Sequence, residues 1–323
     1  MSPIARPRRR TALLALLLAA WVAGTTLGAT TPSQHAAASG TLLQLQAAHA
    51  DYVPTLNGTS PIFILFLGSD ARPGEVITGQ RSDSIHLVSI NPALHKAAIL
   101  GFPRDSYVPI PGYGTNKINA AMTMGGPELV VKTVEALTGI KIDYWTLTWF
   151  DGFQKMIDDI GGLTVNVPFA MSDHYSHAYF DPGVQTLVGR DALAFARNRH
   201  GLPEGDFGRS EDQGLLMTSA LAQFRKEFVK DPSRLLSWVG AGLRSTRTNV
   251  PLDQIINLAF TCTTINPKHV ENIVAPGTTG TVGGLSVVNL TSEAQAIFND
   301  MKDDGLVARK RIPPSPNASL LAG

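Results

Sequence analysis

Three stretches decide the fold: Ile62-Phe-Ile-Leu-Phe-Leu67, Ser84-Ile-His-Leu-Val-Ser-Ile90 and Lys96-Ala-Ala-Ile-Leu-Gly-Phe102. Each is short and rich in β-branched or aromatic residues, and Asn91-Pro92 punctuates the step from the second to the third. Runs this closely spaced predict neighbouring strands of one sheet. In an up-down-up meander the end of the first run, the start of the second and the end of the third lie at the same sheet edge. Asp70, Arg81, Asp83 and Arg104 therefore converge there.

Working outward, Pro127 is well placed at the first position of a helix that carries Val130, Val134 and Leu137 at helical spacing and stops at Gly139. Residues 143–149 alternate Tyr144, Thr146 and Thr148 against Trp145, Leu147 and Trp149, which is a strand pattern. Helical periodicity follows over 151–160, then Gly161-Gly162 and an apolar run over 163–167. Further helices are expected over 191–197, 209–229, 232–243, 252–260 and near 292–301, with mixed segments between the last two. Strands alternating with helices predict a layered α/β fold, in one domain over 61–310 with a flexible Pro-rich tail over 311–323. No internal repeat is present.

The chain has 323 residues, of which 44% are hydrophobic, enough for one large buried core. Its formal net charge of +1 excludes a globally basic nucleic-acid binder, and the densest basic run, Arg6 with Arg8, Arg9 and Arg10, stands directly before an apolar stretch. That order, a basic head over 1–10, an apolar segment over 11–29 and a Ser/Thr/Pro/Gln-rich linker over 30–60, predicts export, with the body of the protein outside the cell membrane. We read the apolar segment as a retained single-pass anchor in preference to a cleaved signal, although Leu27-Gly-Ala29 imitates a cleavage site. The single cysteine, Cys262, rules out an intrachain disulfide and reads as a buried small hydrophobe.

Six motifs stand in order: Gly68-Ser-Asp-Ala-Arg72, Arg81-Ser-Asp-Ser84, Phe102-Pro-Arg-Asp-Ser-Tyr-Val108, Asn116-Lys-Ile-Asn-Ala-Ala121, Ala196-Arg-Asn-Arg199 and Gly205-Asp-Phe-Gly-Arg209, the last followed by Gln213. In this order they resemble the LytR-CpsA-Psr family over about 61–228. The resemblance implies a three-layer α/β/α fold with a mixed central sheet, and a hydrophobic groove for a polyprenyl tail beside a charged mouth for a diphosphate. It also implies transfer of a glycopolymer from a polyprenyl diphosphate carrier to a peptidoglycan acceptor.

The residues fit that chemistry independently. Guanidinium forks bind phosphate oxygens in pairs and stay charged, which nominates Arg81, Arg104, Arg197, Arg199 and Arg209. Gathered at one site they repel one another and need a polyanion, or carboxylates such as Asp105, Asp206 and Glu211. A helix ending near Asn198 brings Arg199 back beside Arg197. Asp206 is expected to cap the next helix, leaving Arg209 in its first turn and Gln213 one turn further on.

Asp70 and Asp83 offer hard oxygens suited to Mg2+ or Mn2+, the role the resemblance implies for both positions. Lys117 and Asn119 extend the phosphate or sugar contacts, and the proton acceptor stays open between Asp83 and Asp105. His174 and His177, with Asp173 and Asp181, have metal-like spacing, but the loop-forming surroundings fix no third ligand, so zinc is not expected. Two rival readings share the site: a polyprenyl diphosphate hydrolase, and a non-enzymatic lipid-binding or regulatory protein.

Overall fold

The computed structural model describes residues 60–321. The expected basic head, the anchor and all but the last residue of the linker lie outside the described residues, as do the final two residues of the chain. Strands β1 (Ile62–Ser69), β2 (Ser82–Asn91) and β3 (Lys96–Gly101) pair antiparallel in sequence order, so the expected meander is present. It is the centre of a six-stranded mixed sheet. Strand β6 (Tyr144–Trp149) runs parallel to β1, and β11 (Arg247–Thr248) closes that edge. Strand β12 (Val270–Val274) runs parallel to β3 at the other edge.

Alternation along β1 explains the layers. Phe63, Leu65 and Leu67 face one side, with Val130 and Val134 of α1 (Ala120–Thr138) and Ile297, Phe298 and Met301 of α7 (Ser292–Asp304). Ile62 and Ile64 face the other side with Leu258 of α6 (Leu252–Thr264), and Leu221 of α4 (Asp206–Lys230) packs against the same cluster. A satellite core joins α2 (Phe150–Asp159), α3 (Gly189–Arg197), α4 and α5 (Arg234–Ser245) to strand β7 (Leu163–Val167). The architecture is the α/β/α arrangement around a mixed sheet that the motifs implied.

Four short two-stranded pairs lie outside the main sheet. They are β4 (Tyr107–Ile110) with β5 (Gly114–Lys117), and β8 (Met171–Asp173) with β9 (Ala178–Phe180). The others are β10 (Gly183–Leu187) on β7, and β13 (Gly277–Val282) with β14 (Leu285–Leu290).

Two expectations are corrected. The helix expected to open at Pro127 begins at Ala120, with a break at Gly125-Gly126. Gly126 has φ 68°, a conformation open to glycine at little cost, and Pro127 restarts the helix from there. The tail is not a loose end over its described length. Glu211 on α4 accepts hydrogen bonds from Ser315 Oγ (2.8 Å) and the Asn317 N–H (3.2 Å), and Asn317 is 2% exposed. Asn317 Nδ2 donates to the Gly208 carbonyl and to Asp212, each at 3.3 Å. Proline-rich composition masked these polar anchors.

Candidate functional site

The strand ends meet as the meander requires. Asp70, one residue beyond β1, donates its N–H to the Arg81 carbonyl at 3.1 Å, and the Phe102 N–H reaches the Ile85 carbonyl at 2.9 Å. Arg104 follows β3 by three residues and places Nη1 2.5 Å from Asp83 Oδ1 on β2. Its Nε lies 3.9 Å from Asp206 Oδ1, and Asp206 also accepts a hydrogen bond from Arg209 Nη2. The expected helix cap is thereby corrected. Gly205 precedes the helix, and the Asp206 carboxylate turns to the two arginines and caps no backbone N–H. Two cations outbid the helix terminus for one carboxylate.

Burial disfavours charge on Arg104, but Asp83, Asp206 and Asp105 more than offset it and raise its proton affinity above the ordinary value. At Arg209, burial prevails over the attraction of Asp206, and the nearby Arg104 adds repulsion, so its pKa is lowered. These two arginines are held rigidly by carboxylates. Arg81 and Arg197 are exposed and Arg199 is half-buried, and none of the three has a carboxylate partner among the described residues. Helix α3 ends at Arg197 and Asn198 is extended (φ −53°, ψ 127°), the stop that the Arg197–Arg199 pairing required. Arg197 lies over the Phe150 ring, 4.8 Å from its centroid.

The remaining candidates divide. Lys117 Nζ pairs with Asp105 Oδ1 at 3.0 Å. Asn119 is 2% exposed, and its backbone bridges the meander, donating to the Arg104 carbonyl (3.3 Å) and accepting from the Ser82 N–H (3.4 Å). Gln213 spends its amide on the Ala196 carbonyl (2.9 Å), tying α3 to α4 just behind Arg197. Of the three carboxylates expected to offset the arginines, Asp206 pairs with them directly, Asp105 acts on Arg104 through its charge while pairing with Lys117, and Glu211 serves the tail.

Buried Asp70 Oδ1, Arg104 Nε, Asn119 Oδ1 and Asp206 Oδ2 have no hydrogen-bond partner. Buried polar atoms are almost always satisfied, so these four are available to water or to a polar ligand. Asp70 is the sharpest case: burial, and then the neighbouring Asp83 charge, raise its pKa. A divalent cation between Asp70 and Asp83 would satisfy that oxygen and offset the repulsion. Among the described residues no group of three or more His, Cys, Asp or Glu side chains converges. Asp70 and Asp83 are the residues that could hold such a cation, which would take its remaining ligands from water and phosphate.

Two supporting roles were not visible in the sequence. Asp173 is 1% exposed and accepts the N–H groups of Arg199 (3.0 Å), His200 (3.1 Å) and Tyr175 (2.9 Å), which fixes the backbone that carries Arg199. Burial alone would raise its pKa, but these donors hold it well below the usual carboxylate range. His86 on β2 is fully buried, with Nε2 3.1 Å from the Ser210 carbonyl and Nδ1 3.0 Å from Ser84 Oγ. A carbonyl only accepts, so the proton sits on Nε2, and the ring couples the strand of Asp83 to the helix of Arg209. Gly101 makes room for it: a methyl group there would strike Ser210 Oγ and come within 3.0 Å of the ring.

Burial lowers the His86 pKa from 6.5 to about 4. The unfolded chain then gains a proton near pH 6.5 that the folded protein refuses until about pH 4. Stability from this group is present above pH 6.5 and lost as pH falls toward 4, by an amount on the order of 3 kcal/mol. Denaturant melts of wild type and His86→Gln should diverge in pH slope across that window; parallel slopes would contradict a buried neutral ring.

Half-buried apolar side chains also line one face of the sheet. Phe66, Val88, Leu221, Val250 and Cys262 pack on the α6 side of the sheet but stay only half-buried. The Cys262 thiol is pushed up to about 11 by burial, in keeping with a small apolar role. On the other side of the sheet Val130 and Val134 are fully buried core, whereas Phe150, Phe153 and Met156 of α2 remain half-buried.

The chain resembles known proteins across this whole body. Regulatory protein MsrR of Staphylococcus aureus (strain COL) is 34% identical over 255 residues, 75% of this chain and 75% of that protein. The polyisoprenyl-teichoic acid–peptidoglycan teichoic acid transferase TagU of Bacillus subtilis (strain 168) is 37% identical over 161 residues, 49% of this chain and 51% of that protein. A solved structure of TagT bound to LI-WTA superposes with a TM-score of 0.63 at 26% identity, covering 77% of this chain and 92% of that one. The family match runs over residues 27–303, well past the 61–228 span of the motifs. The chain belongs to the LytR-CpsA-Psr family.

Proposed function

We propose that this chain is a phosphotransferase that moves a glycopolymer from a polyprenyl diphosphate carrier to peptidoglycan and releases polyprenyl phosphate. One observation carries the reading: Arg104 and Arg209 are clamped by Asp83 and Asp206 where the strand ends meet, and Arg199, near enough to repel Arg209, has no carboxylate partner among the described residues. The names of TagU and of TagT bound to LI-WTA point to the same chemistry and to teichoic acid as the polymer class.

Arg104 and Arg209, fixed by Asp83 and Asp206, present guanidinium groups whose orientation costs little on binding. Arg81, Arg197 and Arg199 supply the charge that a diphosphate neutralises. An acceptor hydroxyl attacks the phosphorus bearing the glycan; the new P–O bond forms as the bond to the bridging oxygen breaks, and that oxygen departs on prenyl phosphate. Charge grows on the departing oxygen, where preorganised arginines act most strongly. The hydroxyl proton passes to a mouth carboxylate, Asp83 or Asp105. Bound Mg2+ or Mn2+, held by Asp70 and Asp83, would add further neutralisation of the diphosphate. Half-buried Phe66, Val88 and Leu221 form an apolar surface for the prenyl tail. We place the domain outside the cell, on a single-pass anchor within 11–29, because lipid-linked polymers and wall acceptors meet there.

The test supplies full-length protein with lipid-linked glycan, Mg2+ and peptidoglycan fragments. A phosphodiester-linked product is expected, and an excess of chelator or Asp70→Ala should abolish it. Free phosphorylated or reducing-end polymer at every acceptor concentration would instead mean hydrolysis. Binding without any turnover would favour the regulatory role that the name MsrR describes.

A further inference from the structure

The β8–β9 hairpin carries aromatic surface that the fold does not use. Tyr175 is 72% exposed and Tyr179 57% exposed. Their rings join a string of imidazoles. Tyr175 lies 4.4 Å from His200 between ring centroids, His174 stands edge-on at 6.0 Å to both Tyr175 and His177, and Tyr179 Oη is 3.5 Å from His174 Nδ1. Chain reversal alone favours Gly, Asn or Ser, yet this turn holds His177 at φ 59°. Clustered aromatic rings left in water at a turn mark an interaction site.

The cluster is anchored to the charged mouth. Asp173, the last residue of β8, accepts the N–H of Tyr175 and those of Arg199 and His200. Hairpin and Arg199 loop are thus one rigid piece, with the rings beside the backbone of an unpaired phosphate-binding arginine.

We propose that Tyr175 and Tyr179, with His174, His177 and His200, form a saccharide platform for a pyranose that lies next to a phosphate held at Arg199. A flat aromatic face matches the C–H face of a sugar ring, while phenol and imidazole edges exchange hydrogen bonds with its hydroxyls. A polar-edged, open patch of this kind suits a carbohydrate better than a prenyl chain, which needs an enclosed apolar groove. The proposal rests on the transferase reading, which puts a sugar next to a phosphate. That sugar belongs either to the donor, directly attached to the diphosphate, or to the wall acceptor.

Full-length protein in detergent is titrated with three probes: an N-acetylglucosamine tetrasaccharide, a short prenyl diphosphate bearing one N-acetylhexosamine, and the same carrier without sugar. Tyr175→Ala should weaken one of the two sugar-bearing probes about tenfold, equivalent to about 1.4 kcal/mol, while Tyr175→Phe retains it. The bare carrier should bind wild type and Tyr175→Ala alike. Loss on the tetrasaccharide assigns the platform to the acceptor; loss on the sugar-bearing carrier assigns it to the donor. Equal affinity of Tyr175→Ala for both sugar probes, with unchanged melting, overturns the platform. Because the readout is binding, a wild type that binds sugar through Tyr175 but never transfers it would sink the transferase reading and leave the platform standing.

Discussion

Arg199→Ala lowers kcat by about two to three orders of magnitude, the usual cost of removing one preorganised charge from a reacting centre. Folding stability stays within about 0.5 kcal/mol of wild type, because the substitution touches no packed core. Arg199 is half-buried and has no carboxylate partner, and what holds its place is its backbone N–H on Asp173, which alanine keeps. Single-turnover kinetics beside a thermal melt decides the matter. Wild-type turnover in a normally folded variant would remove Arg199 from the reaction.

Asp206→Ala should act mainly on stability, at a cost of about 3–5 kcal/mol. Its carboxylate is 8% exposed and Arg209 is 6% exposed, so removing it leaves one buried cation unpaired and a second, Arg104, with only Asp83. Replacing both members, Asp206→Leu with Arg209→Met, should recover much of that loss, since a buried pair exchanged for apolar groups of similar size is often neutral. Activity should not return with stability, because Arg209 itself is gone. Denaturant midpoints for the two single variants and the double variant test the first half, and turnover tests the second. A double variant as unstable as Asp206→Ala would show that packing, not charge, governs the site.

How much of this was legible beforehand depends on the range of the signal. The meander strands announced themselves through short, well-punctuated apolar runs, and their register then carried Asp70, Arg81, Asp83 and Arg104 to one edge. The stop of α3 at Arg197 was readable as a condition for Arg199 to swing back, and it is met. The short strands β8, β9, β13 and β14 were not read, because three to six residues with Ser, Thr and Gly carry little periodicity. Asp206 was assigned to its own helix end because local capping is visible in sequence, whereas the competing Arg104 lies about a hundred residues away. Asp173 was weighed only against its neighbouring histidines; its partners at 199 and 200 appear once the chain has folded back.

The bonds that join distant parts of the chain also set a clock. Asn91 at the end of β2 donates to the Asp304 carbonyl at 2.9 Å, across 213 residues, and His86 reaches Ser210 across 124. Long closures of this kind form late, because loop entropy is spent before the contacts return it. Because a chain is synthesised from its N-terminus, the strands with Asp70, Asp83 and Arg104 are made well before the helix with Arg209, and before the tail residues that brace that helix. A partly made chain therefore carries half a site without its counterpart, and competence arrives only when the final segments have joined the fold.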